Sequence, residues 1–310
     1  MPSPRCPHCE FSYAWDGAFC GHCQKPYPLR GVWDAAVDPE WFAGHHRATN
    51  RELVLVGCGS VRTIERFLPP ATGPALDALE RAALASTTAT VRGAARACWE
   101  LSRVVEYVRT NSATGSPAFL ATDALAALAG TATDRNFPIV PHVTHHVALA
   151  EAQARVPATP DERHARPGFL DEFRGPAFRH AAMSGREPPD LTPAEREEWD
   201  RWQAASAHAS ATRQKRQEAT AAASAALCDV YRDVVEYPFQ RVAFDPAWRT
   251  STAVAMAKGF VETGDFSAMP ILADALQDAG CDDPEVLGHC RSDRPHYRGC
   301  WVVERVLARR

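Results

Sequence analysis

Cys6, Cys9, Cys20 and Cys23, close to the start, constrain this chain more than any other feature. They form two Cys-x-x-Cys pairs, Cys-Pro-His-Cys and Cys-Gly-His-Cys. Each pair can curl into a knuckle that offers two thiolates, and two knuckles close a tetrahedral site around zinc. Such a site has no open position for a substrate, so the metal is expected to be structural. The competing reading is a pair of redox dithiols, but that motif belongs on a βαβ scaffold, and none is visible. His8 and His22 lie inside the knuckles and could each replace a cysteine, although four thiolates already suffice. Between the knuckles, Phe11 to Trp15 alternates like a strand and Asp16-Gly17 signals a hairpin turn. Residues 1–30 therefore read as a β-hairpin zinc ribbon, in which metal stands in for the core that so short a segment cannot build.

The full chain of 310 residues has room for more than this ribbon. A formal net charge of −4 gives no reason to expect a polyanionic partner. Lys25, Lys215 and Lys258 are its only lysines, so arginine carries almost all the positive charge. With abundant alanine and proline, this points to a GC-rich bacterial genome. No apolar run reaches the length of a membrane span, and the start carries no apolar signal-peptide core. A cytoplasmic protein is expected, and its ten cysteines are then metal ligands or packing residues rather than disulfides.

Beyond the ribbon the pattern is helical. Residues 31–48 read as a tether. Thr49 and Glu52 form a capping box, followed by an apolar stripe through Leu53, Val56, Val61, Ile64 and Leu68 that ends at Pro69-Pro70. Further helices are expected over 74–85, 88–109, 117–129 and about 142–155. Residues 49–156 thus make a helical region. The proline-, arginine- and glycine-rich stretch 157–191 reads as a long loop or insertion. A second capping box at Thr192 and Glu195 opens a long alanine-rich helix running toward Tyr237, in one or two pieces. From Asp245 to Leu307 come four short helices, with Gly264 and Gly280 as stops, Asp283-Pro284 as a start, and a last helix from about His296. Residues 192–310 therefore combine the long helix with a C-terminal helical block. The fold class is mainly α, a multi-helix body carrying a small ribbon.

Three further constellations could carry chemistry. Leu53 to Ser60 runs from an apolar stretch into Gly57-Cys58-Gly59, like the first strand and phosphate loop of a dinucleotide-binding fold. That fold needs a second strand ending in an acid about 20 residues on, where Pro69-Pro70 and an alanine-rich helix stand instead. The glycines then read as close-packing positions on a helix. His142, His145 and His146 share one helical face, but no acidic or cysteine partner is placed with them beyond Glu151, so they read as polar-face residues. The C-terminal block holds Cys281, His289, Cys290, His296 and Cys300, a sulfur-plus-imidazole pool that suits zinc. Its irregular spacing favours the plainer reading, in which the three cysteines pack as small apolar residues. A Cys290–His296 nucleophile pair lacks any orienting carboxylate that the sequence can name.

The block also carries a resemblance. Pro270 to Cys281, then His289-Cys290-Arg291, then His296-x-Arg298-Gly299-Cys300-Trp301-Val302-Val303, resembles a helical, uncharacterised family common in planctomycete-type bacteria. Phe244 to Thr252 and the alanine-rich region upstream fit it, and Asn50 to Leu53 loosely resembles its N-terminal helix. The likeness is specific over about the last third of the chain. Glu304 stands where that family has aspartate, and the ribbon is no usual part of it. The resemblance implies a helical fold and a Cys/His/Arg/Trp cluster, and it implies no activity.

These readings converge on a zinc-binding, non-enzymatic interaction or scaffold protein, with one structural zinc, the ribbon as docking module, a protein partner and no membrane. One alternative is a nucleic-acid-binding regulator. Against it, the ribbon's Arg5, Lys25 and Arg30 face Glu10 and Asp16, and only Arg213, Lys215 and Arg216 make a small basic patch. The other alternative is an enzyme with a Cys/His site in the C-terminal block, which would need a second metal or an activated thiolate.

Overall fold

Thr49 opens the helical body as its sequence dictates. Its side chain accepts from the backbone N–H of Glu52, while the Glu52 carboxylate accepts from the Thr49 N–H at 2.7 Å. A computed structural model gives these coordinates and describes residues 33–39, 42, 48–85, 88–130, 139–159, 184, 191–237 and 242–309. The ribbon with Cys6, Cys9, Cys20 and Cys23, and most of the 157–191 stretch, lie outside the described residues.

The described chain is mainly helical, with no strand among the described residues. In order come α1 (Asn50–Arg62), a 3-10 turn (Glu65–Phe67), α2 (Thr72–Leu84), α3 (Thr88–Asn111), α4 (Pro117–Gly130), α5 (Ile139–Arg155) and α6 (Pro193–Val234). The C-terminal block follows with a 3-10 turn (Pro246–Trp248), α7 (Ser251–Thr263), α8 (Met269–Asp278), α9 (Pro284–Cys290) and α10 (Trp301–Val306). Caps fall where turn chemistry puts them. Gly264 is left-handed at φ 76° after α7, and Asp283 accepts from the N–H groups of Glu285 and Val286 to start α9. Two expected boundaries move. The first helix stops at Arg62 rather than at the proline pair. The last starts at Trp301 rather than near His296, because residues 291–300 are needed as a loop.

Two compact units divide the chain. One holds Met1–Ala150 with Ala223–Arg310, and the other holds Glu151–Ala222. The second unit contains the start of α6, where the Trp199 and Trp202 rings meet at a tilt with centroids 4.9 Å apart, and Arg216 donates to the Val156 carbonyl at 3.1 Å.

The first unit holds three apolar clusters. The largest joins α1 to α5 and the last turns of α6 through Cys58, Ile64, Leu76, Leu101, Leu125 and Val230. Gly59 of α1 is a close-packing position: a Cβ there would lie 2.8 Å from Val230 and 3.3 Å from the Tyr297 ring. The apolar run at 53–60 is helix, and its glycine lets α1 approach α6 closely. A second cluster fills the C-terminal block around Trp248, Phe260, Leu272, Cys281, Cys290 and Val303. The third clasps part of the expected tether: Phe42 stacks on Tyr231 at 4.5 Å, and Trp33 meets Phe42 edge-on at 4.9 Å. Arg232 fixes that segment by donating to the carbonyls of Trp33, Asp34 and Ala36.

Charged groups tie the C-terminal block to this body. Arg298 donates to Asp77 at 2.7 Å and Glu80 at 2.8 Å, and Arg62 pairs with the same two carboxylates. Glu304 is buried and pairs with Arg51. No helix among the described residues is long and apolar enough to cross a membrane.

Candidate metal centre

The six residues from His296 to Trp301 build one site, and each has a separate task. His296 donates from Nδ1 to Asp233 Oδ1 at 2.6 Å, and the Tyr297 N–H donates to Asp233 Oδ2 at 2.8 Å. Arg298 anchors the loop: besides Asp77 and Glu80, it donates to the carbonyls of Val261 at 2.7 Å and Glu262 at 3.2 Å. Gly299 has φ 101°, and a Cβ there would sit 2.8 Å from Leu55. This turn needs glycine both for its dihedral and for its space. Cys300 follows at 0% exposure, and Trp301 opens α10.

His289 reaches the same point from the last turn of α9. Its Nε2 lies 3.1 Å from Asp233 Oδ1 and 3.2 Å from Cys300 Sγ. Cys300 Sγ lies 4.0 Å from His296 Nδ1. The donor atoms of Asp233, His289, His296 and Cys300 thus fall within 4.8 Å of one another, and together they could bind a metal ion. The Asp233 and His296 side chains are 3% and 6% exposed. The His296 Nε2 is buried without a hydrogen-bond partner.

Electrostatics follow from this burial. Burial pushes the Asp233 carboxyl up, but hydrogen bonds from His289 and His296 outweigh it and hold the group below the usual carboxylate range. Burial lowers the His289 imidazole, partly offset by Asp233. The Cys300 thiol is pushed well up, first by burial and then by the Asp233 charge. Without a metal, burial therefore favours the protonated thiol.

Of the five C-terminal candidates, His289, His296 and Cys300 come together. Cys281 and Cys290 share the apolar cluster of the block with Cys300 but do not join the group, and burial takes the Cys290 thiol to about 12. Asp233 is the member the sequence reading missed. Its signal was an acid on the buried stripe of α6 set by Leu227, Val230 and Val234. His142, His145 and His146 do not assemble a comparable group among the described residues. His145 and His146 meet at 5.4 Å between rings, and His146 Nδ1 lies 3.8 Å from Asp123.

Compared with known proteins, the chain matches no family model, no curated protein and no solved structure.

Proposed function

We propose that this chain is a non-enzymatic interaction protein whose C-terminal block is braced by structural zinc. The observation that carries the reading is the convergence of Asp233, His289, His296 and Cys300 within 4.8 Å in a buried place. One carboxylate and one thiolate balance the charge of a divalent ion there, as a site with little access to water requires. Thiolate with imidazole favours zinc over magnesium or calcium. Zinc with bonds of about 2.0–2.3 Å needs donors roughly 3.3–3.7 Å apart. His289 Nε2 to Cys300 Sγ at 3.2 Å and Cys300 Sγ to His296 Nδ1 at 4.0 Å lie on either side of that spacing. Asp233 and His296, hydrogen-bonded at 2.6 Å, would have to part to admit the ion. Four protein ligands leave no position for a substrate, which favours a structural over a catalytic role. The ion would join the end of α6 to α9 and α10, and so fix the helical block against the body of the first unit. In this reading Cys6, Cys9, Cys20 and Cys23 hold a second zinc, and their ribbon is the module that docks a protein partner.

Elemental analysis of the purified full-length chain tests this. Two zinc ions per chain are expected. Cys6→Ala/Cys9→Ala should keep the helical one, and His289→Ala/Cys300→Ala should keep the ribbon one. A chain whose metal vanishes entirely in the first variant has no helical site. A chain that retains its protein partner after deletion of residues 1–30 does not dock through the ribbon.

A further inference from the structure

Trp301 stands where a metal-ligating histidine normally finds an acceptor. Its indole Nε1 lies 3.0 Å from His289 Nδ1. An indole nitrogen only donates, so His289 Nδ1 accepts and its proton sits on Nε2. That is the nitrogen facing Asp233 Oδ1 at 3.1 Å and Cys300 Sγ at 3.2 Å. A histidine that binds metal presents a lone pair to the ion and donates its other N–H outward, to a carboxylate, carbonyl or water. Binding through His289 Nε2 therefore places a proton on Nδ1, where it would meet the indole N–H head-on.

We infer that Trp301 sets the metal affinity of this site by holding His289 in the tautomer a metal cannot use. The inference rests on the metal reading proposed above and adds a positioning residue to it. In the metal-free state Asp233 Oδ1 accepts from His296, Oδ2 accepts from the Tyr297 backbone, and His289 Nδ1 accepts from Trp301, which leaves only His296 Nε2 of these four side chains' donor groups without a partner. An arriving ion has to displace that arrangement, and the indole has to release its bond. Trp301 and His289 also line a cleft of about 750 Å³, together with Arg232, Glu236 and Arg294.

Trp301→Phe removes the donor and keeps an aromatic ring in the apolar cluster. In the full-length Cys6→Ala/Cys9→Ala background, zinc affinity is measured by competition with a chelator, with circular dichroism to confirm folding. Trp301→Phe should bind zinc about five- to tenfold tighter, the factor that one neutral hydrogen bond carries. In parallel, the Trp301 indole N–H resonance, assigned by its absence in the variant, should move upfield when zinc is added to the parent. A merely structural tryptophan would give equal or weaker binding in the variant and an unmoved resonance. Either result overturns the inference while leaving the metal reading intact. If neither protein binds zinc, the metal reading falls and the inference with it. Binding by the variant alone supports the inference and limits the metal reading in the native chain. If the variant does not fold, the indole resonance of the parent, assigned by through-bond backbone experiments on labelled protein, decides.

Discussion

Asp233 and His296 are 63 residues apart in sequence, yet their side chains meet at 2.6 Å with Asp233 almost wholly buried. The carboxylate collects donors from His296 and from the Tyr297 backbone, so it organises the loop before α10 even without a metal. Asp233→Ala leaves these donors buried and unpaired, which should destabilise the metal-free protein by about 3 kcal/mol. The check is urea denaturation, with a lower midpoint at an unchanged slope. An unmoved midpoint would mean that the loop is held by Arg298 alone.

Gly299 should tolerate alanine far less than Gly115 does. Both have positive φ, 101° and 80°. Only Gly299 has a neighbour in the way, Leu55 at 2.8 Å from the built Cβ, whereas nothing lies within 4 Å at Gly115. Gly115→Ala should cost about 1 kcal/mol from its dihedral alone. Gly299→Ala adds an overpacking cost of about 1–3 kcal/mol and should also lower zinc content, because it displaces Cys300. Equal thermal shifts in the two variants would remove the steric part of this account.

Much of the helical body was legible because local chemistry decides it. Thr49 with Glu52 and Thr192 with Glu195 form the hydrogen bonds that their spacing announces. Ser116 accepts from the Phe119 N–H, and Gly264 takes the left-handed stop. The long alanine-rich stretch folds as one helix of 42 residues, in keeping with alanine's propensity. The site was half legible. His289, His296 and Cys300 share one short block, so composition flags them. Asp233 lies on another element: the apolar stripe of α6 marks it as a buried acid, but which side chains it meets is set by tertiary packing that the stripe does not encode. The same limit hid the division of labour among the cysteines, since the exclusion of Cys281 and Cys290 depends on which way each helix turns.

Acid should loosen the join that Arg62 and Arg298 make with Asp77. Burial raises the Asp77 carboxyl, but Arg62 and Arg298 outweigh it and hold its pKa below the ordinary value. A lower pKa in the folded state means that the unfolded state takes up the proton first as pH falls. The stabilisation from this group is therefore complete above about pH 4 and is lost as pH drops through the folded value. Asp77→Asn should flatten the dependence of stability on pH below about 4 and leave the slope between neutral and mildly alkaline pH unchanged. A variant with the same acid slope as the parent would place the sensitivity elsewhere.

Cysteine chemistry separates packing from ligation most cleanly. Cys281, Cys290 and Cys300 are all buried and free, so exposure alone does not distinguish them. Among the described residues, only Cys300 of the three has an imidazole beside its sulfur, His289 at 3.2 Å. Cys290→Ala removes one sulfur from the apolar cluster and should cost about 1 kcal/mol through lost packing, with zinc content unchanged. Cys300→Ala removes a comparable volume and a comparable packing term, but also a ligand, so it alone should lower zinc by about one ion per chain. Cys300→Ser keeps the size and offers a much poorer ligand, and should behave like Cys300→Ala in metal content. Metal analysis and thermal denaturation on the three variants give the comparison. Loss of zinc in Cys290→Ala, or its retention in both Cys300 variants, would move the ligand set away from the four residues that the geometry brings together.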